Sequence, residues 1–136
     1  MKNINKNCDC HFHVFGPSVR YPYSQGRSYT PSDASLGDFF SLLEKNDIGR
    51  AVIIQPSVYN FDNSATIEAL KAKPSELRAI VVIEDTHDFE ELKKWNEYGV
   101  RGVRVNLLFN SGINSAHVRK LATLIKPLGW HLQLLI

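Results

Sequence analysis

Cysteine, methionine and tryptophan are scarce in this chain of 136 residues, which holds two, one and two of them. A disulfide-stapled secreted domain needs more cysteines at regular spacing than Cys8 and Cys10 can supply. Those two also stand two apart on a segment that reads as a strand, where they share a side without the geometry for an easy bridge. An excess of one charge is lacking as well. Lys and Arg number 16 against 14 Asp and Glu, and the basic residues are scattered, with no run interleaved with aromatics that could follow a phosphate backbone. Nucleic acid and membrane surfaces are therefore excluded as partners. Long apolar runs are missing too: the opening MKNINKNCDC is polar, unlike a signal peptide, and no window approaches the roughly 18 apolar residues of a membrane span. The expectation is a soluble cytoplasmic protein with reduced thiols. A hydrophobic content of 43% with 22% charged residues is ordinary for one globular domain.

What is present is a repeating pattern. After CDCHFHV comes FGPSVRYPYSQGRSYTPSDAS, rich in Pro, Gly, Ser and Tyr, a loop long enough to have a task of its own. Leu36, Phe39, Phe40 and Leu43 then recur at helical spacing, so about residues 33–46 read as an amphipathic helix, with Ser32 and Asp33 as caps and Gly49 as its stop. RAVIIQP is a continuous apolar run rich in β-branched residues, the mark of a strand buried on both faces. The unit returns in form: a helix over roughly 63–73 with Ile67 and Leu70 inward, then LRAIVVIE as a strand. A third helix carries Phe89, Leu92 and Trp95 and stops near Gly99, followed by the strand VRGVRVNLL and the loop FNSGIN. A fourth helix places Val118, Leu121, Ala122 and Ile125 on one face before Gly129, and WHLQLLI begins a fifth strand.

Successive βα units of about 25 residues predict parallel strands. A doubly wound sheet would carry a glycine-rich phosphate loop after an early strand, and HFHVFGPS is not one. A (β/α)8 TIM barrel places polar residues at strand C-terminal ends, which describes His11 and His13, Gln55 and Ser57, and Arg104 and Asn106. A full barrel needs about 250 residues. The expected fold is thus a TIM-barrel type truncated after about five strands and four helices, with residues 1–136 as its N-terminal half.

In CDCHFHV, strand alternation separates the two residue types. Asp9, His11 and His13 face one way, into the barrel, while Cys8, Cys10 and Phe12 face the helices, the cysteines as small packed hydrophobes. Two imidazoles on one face at a strand end are placed to hold a divalent metal such as zinc, although a lone H-x-H is more often structural. Arg104 offers a planar fork to a carboxylate; its plainer reading is a salt bridge to an internal acid such as Asp9. Gln55 and Asn106 read as structural polar residues, His87 as a solvated loop residue, His117 as surface, and the facing of His131 is undecided.

The stretches DCHFHVFGP, RYPY, RSYTP, AVIIQPSVYNFDN and GVRGVRVNLLF, in this order along essentially the whole chain, resemble the amidohydrolase superfamily. The resemblance is to its branch of 2-pyrone-4,6-dicarboxylate lactonase and related sugar-lactone hydrolases. It implies a TIM-barrel hydrolase that opens a carboxylate-bearing lactone with water. It also implies catalytic roles for His11 and His13, which hold a metal in most of the superfamily but not in the pyrone lactonase, and substrate contacts for Tyr29, Ser57 and Arg104. Read without the family, Tyr29 packs the barrel rim and Ser57 caps the turn after Pro56. The pyrone lactonase pattern has a second arginine soon after the match to Arg104, and NLLFNSG supplies none, so a sugar-derived lactone is an alternative substrate. The general base of the family, an aspartate after the eighth strand, has no counterpart here. A truncated, inactive fragment or ligand-binding half-barrel is therefore the competing expectation. Open strand edges would let such a chain self-associate.

Overall fold

A computed structural model describes residues 7–106 and 115–136; the loop FNSGIN and the end of VRGVRVNLL lie outside the described residues. Five strands, β1 (Cys8–Phe12), β2 (Arg50–Ile54), β3 (Leu77–Val81), β4 (Val100–Asn106) and β5 (His131–Leu135), alternate with four helices. These are α1 (Leu36–Lys45), α2 (Ser64–Ala72), α3 (Phe89–Tyr98) and α4 (Ser115–Ile125). Every neighbouring pair is parallel and the strand order follows the chain order, β1 to β5. A doubly wound sheet would reverse its order partway, whereas a (β/α)8 barrel never does. The architecture is half of such a barrel.

The helices cover one face of the sheet. Ile53, Leu77, Ala79, Val81, Val103 and Val105 project under Leu43, Leu70, Leu92, Trp95, Leu121 and Ile125 in one buried cluster. Each fully buried aliphatic side chain contributes about 1.5–3 kcal/mol. The limits of α1 differ from the sequence expectation because local hydrogen bonds decide them. Ser35 is the cap: its Oγ accepts from the Asp38 N–H while the Asp38 carboxylate accepts from the Ser35 N–H, a reciprocal box that leaves Ser32 and Asp33 outside. The helix ends at Asn46, and Asp47, at φ 54°, takes the left-handed turn expected of Gly49. In α3 the expected stop holds: Gly99 adopts φ 114° and donates to the Trp95 and Asn96 carbonyls.

Two register shifts set which side chains reach the other, concave face. In β1, Asp9 pairs with Ala51 and Phe12 with Ile53, three residues against two. Strict alternation fails across this bulge, so Asp9 does not share a face with His11; its Oδ1 instead accepts the His11 backbone N–H at 3.0 Å. Phe12 stacks on Phe39 of α1 as expected, but Cys8 and Cys10 are exposed rather than packed: among the described residues β1 pairs with β2 alone. In β4, Arg101 is the extra residue between Val100, paired with Ala79, and Gly102, paired with Ile80. From there Gly102, Arg104 and Asn106 align with Ile80 of β3 and with His131, Gln133 and Leu135 of β5. This places His131 on the concave face. At Gly102 a Cβ would lie 2.8 Å from the His131 carbonyl oxygen, so the close approach of β5 requires glycine.

The long loop after β1 is ordered by its own anchors. Phe15 and Ala34 exchange two backbone hydrogen bonds, and Gly16 N–H donates to the Tyr59 hydroxyl at 2.8 Å. Phe15, Tyr21 and Tyr23 pack on Val58, Tyr59 and Ala65 in a satellite cluster.

Candidate active site

At the C-terminal ends of the strands, β1 and β4 meet across the concave face. Arg104 Nη1 lies 3.4 Å from His11 Nε2 and 3.5 Å from Gln133 Oε1. His11 and His13 stand edge to face, ring centroids 5.1 Å apart. His13 is half-buried and its Nδ1 donates to the Ile54 carbonyl at 2.8 Å, which leaves Nε2 as the nitrogen with a free lone pair. Burial holds its pKa below the usual histidine value, helped by the Arg104 charge and opposed by the Ile54 hydrogen bond. The ring is therefore neutral at pH 7.

Arg104 is half-buried, and burial lowers its pKa, with nearby Tyr29 acting in the opposite sense. Among the described residues it forms no ion pair, to Asp9 or any other acid; its partners are the His11 imidazole and the Gln133 amide. A guanidinium held in this way is free to accept a planar anion in bidentate fashion.

The structure thus brings together His11, His13 and Arg104, with Tyr29 in electrostatic range. Among the described residues Ser57 forms no hydrogen bond with them. It opens a short 3-10 turn, Ser57–Tyr59, beyond β2, is exposed, and its carbonyl accepts from Asn60 N–H. Gln55 is structural as expected: buried, it donates to the Asn60 and Asp62 carbonyls and accepts from Thr66 Oγ1 at 2.6 Å. His87 departs from expectation, lying against Trp95 with Glu91 Oε2 3.0 Å from its Nε2, and His117 is part-buried rather than fully on the surface. Gln133 was not legible beforehand, since only the β4–β5 register sets it beside Arg104.

A family profile described as amidohydrolase matches residues 8–136. The chain belongs to the amidohydrolase family. Among curated amidohydrolase relatives, a 4-sulfomuconolactone hydrolase of Rhizobium radiobacter is 42% identical over 96 residues, 71% of this chain and 32% of that protein. A 2-pyrone-4,6-dicarboxylate hydrolase of Comamonas testosteroni is 32% identical over 125 residues, 90% of this chain and 41% of that protein. The solved structure of a probable 2-pyrone-4,6-dicarboxylic acid hydrolase from Acinetobacter baumannii, with citric acid bound, superposes with a TM-score of 0.82 at 28% identity. That match covers 94% of this chain and 48% of the other. The chain therefore spans less than half the length of the relatives it matches.

Amidohydrolases usually bind a metal, and the described donors do not fit one on their own. His11 Nε2 faces a guanidinium, which repels a divalent cation, and among the described residues no three His, Cys, Asp or Glu side chains gather as metal ligands. No described helix is long and apolar enough to cross a membrane.

Proposed function

We propose that residues 1–136 form the N-terminal half of an amidohydrolase-type barrel domain, and that its strand-end site serves hydrolysis of a carboxylate-bearing lactone. 2-Pyrone-4,6-dicarboxylate or a related sugar lactone is the substrate. The observation that carries this reading is Arg104, a half-buried cation with no carboxylate partner among the described residues. Leaving such a charge unpaired is costly, so the site is built for an anion. In the reaction water adds to the lactone carbonyl, the tetrahedral oxyanion collapses, and the ring C–O bond breaks with a proton passing to the departing oxygen. Arg104 grips the substrate carboxylate, with Tyr29 and Ser57 completing the rim. His11 and His13 line the reacting face, and His13 Nε2, left with its lone pair because Nδ1 carries the proton toward the Ile54 carbonyl and burial disfavours a second, holds or accepts a water proton. The exposed, unpaired thiols of Cys8 and Cys10 suit a reducing compartment and support a cytoplasmic protein.

A second reading, a ligand-binding half-barrel without turnover, rests on a different observation. No carboxylate touches or perturbs His13 or Arg104, so the described site has no acidic general base. The deciding experiment is turnover by the 136-residue chain on pyrone dicarboxylate and a panel of sugar lactones, with and without zinc. Turnover that disappears in the His11→Ala, His13→Ala double variant supports the enzyme. Ligand binding with no turnover supports the second reading.

A further inference from the structure

Gln55, just past β2, and Gln133, in β5, use their side-chain amides differently. Gln55 uses both ends: Nε2 donates to the Asn60 and Asp62 carbonyls and Oε1 accepts from Thr66 Oγ1, which ties down the turn after β2. Gln133 uses one. Its Oε1 lies 3.5 Å from Arg104 Nη1, and because a guanidinium only donates, the amide turns its oxygen to Arg104 and its Nε2 away. Among the described residues, Nε2 has no hydrogen-bond partner. The backbone fixes this placement. Arg104 and Gln133 are register partners across the parallel β4–β5 pair, and two residues earlier the His131 carbonyl closes on Gly102, where a Cβ would lie 2.8 Å from it.

The neutrality of Gln133 matters as much as its position. A glutamate there would pair with Arg104 and cancel the charge that draws a carboxylate, and an apolar residue would leave Nη1 without that acceptor. An amide orients the guanidinium, keeps it cationic and adds a donor beside it. A carboxylate gripped by Arg104 therefore meets, next to it, N–H groups suited to an uncharged oxygen. We propose that Gln133 is a specificity-determining residue: Oε1 orients Arg104, and Nε2 donates to a ring or hydroxyl oxygen on the carbon that bears the carboxylate. The favoured substrate class is a lactone whose carboxylate carries such an α-oxygen, as it does when the acid sits on the carbon beside the ring oxygen. This rests on the carboxylate-site reading of Arg104 and adds a second point of contact to it.

The test is an NMR titration of the 136-residue chain with a matched pair of acids, tetrahydropyran-2-carboxylate, which has the α-oxygen, and cyclohexanecarboxylate, which lacks it. The wild-type chain should bind the oxygen-bearing acid about three- to tenfold more tightly, the range of a neutral hydrogen bond. In Gln133→Leu the two affinities should fall to parity. Gln133→Asn, which draws the amide back by one methylene, should lose the preference too, with a circular dichroism spectrum like that of the wild type. Gln133→Glu should lose both acids, because its own carboxylate takes their place on Arg104. A preference that survives in Gln133→Leu or Gln133→Asn overturns the role of Gln133 and leaves the carboxylate site standing. So does equal binding of the two acids by the wild type when Arg104→Met loses both. Binding of both acids that is indifferent to Arg104→Met overturns the carboxylate site itself, and this proposal with it.

Discussion

At the scale of single residues the site is a matter of who partners whom. His13 is tied to the Ile54 carbonyl through Nδ1, so its tautomer is set and its buried ring resists protonation. With the folded pKa lowered from 6.5, the unfolded chain binds the extra proton first as pH falls. Stability from this group is complete above pH 6.5 and is lost as pH falls through the lower, folded value. NMR titration should place the His13 midpoint below 6.5, and in His13→Gln the acid-side fall in melting temperature should flatten; a midpoint at or above 6.5 contradicts the burial argument. Placement at strand ends, together with the family resemblance, made His11, His13 and Arg104 candidates, because an inward arginine is costly without an anionic partner. The role of Asp9 was not legible. Its facing depends on a bulge that the alternation of CDCHFHV does not announce.

At the scale of elements, the parallel βα order was readable because buried strands such as RAVII and LRAIV are continuous apolar runs and each helix carries its own 3.6-residue stripe. What escaped was fine geometry: the Ser35 cap, the Asp47 turn and the extra Arg101 in β4 all come from hydrogen bonds specific to the folded chain. Glycine substitutions probe that geometry. Gly99 sits at φ 114° with a virtual Cβ 3.4 Å from the Leu77 carbonyl oxygen, so Gly99→Ala should cost about 1–3 kcal/mol in a denaturant melt. Gly102→Ala should do something different. A Cβ 2.8 Å from the His131 carbonyl oxygen forces β5 away from β4 and moves Gln133 off Arg104, so hydrogen-exchange protection of β5 should fall more than that of β2. Uniform loss across both strands would contradict the local account.

At the scale of the whole molecule, β1 and β5 are the outermost strands of the sheet among the described residues. Leu134 of β5 is 48% exposed and Ile136, just past the strand, 81%, so a backbone edge and apolar side chains lie together. Such edges template association. Sedimentation velocity on the 136-residue chain should show dimers or larger species, or a broad, weakly cooperative melt; a monodisperse monomer with a sharp melt would contradict this. The central claim is narrower and does not depend on how the edges are satisfied: the concave face around Arg104 is a carboxylate site. It is tested most directly by calorimetric titration of 2-pyrone-4,6-dicarboxylate into the wild-type chain and into Arg104→Met. Saturable binding that weakens about 10- to 100-fold in the variant, the loss expected for a charge-assisted hydrogen-bonded pair, is the predicted result. Equal binding by both proteins would contradict it.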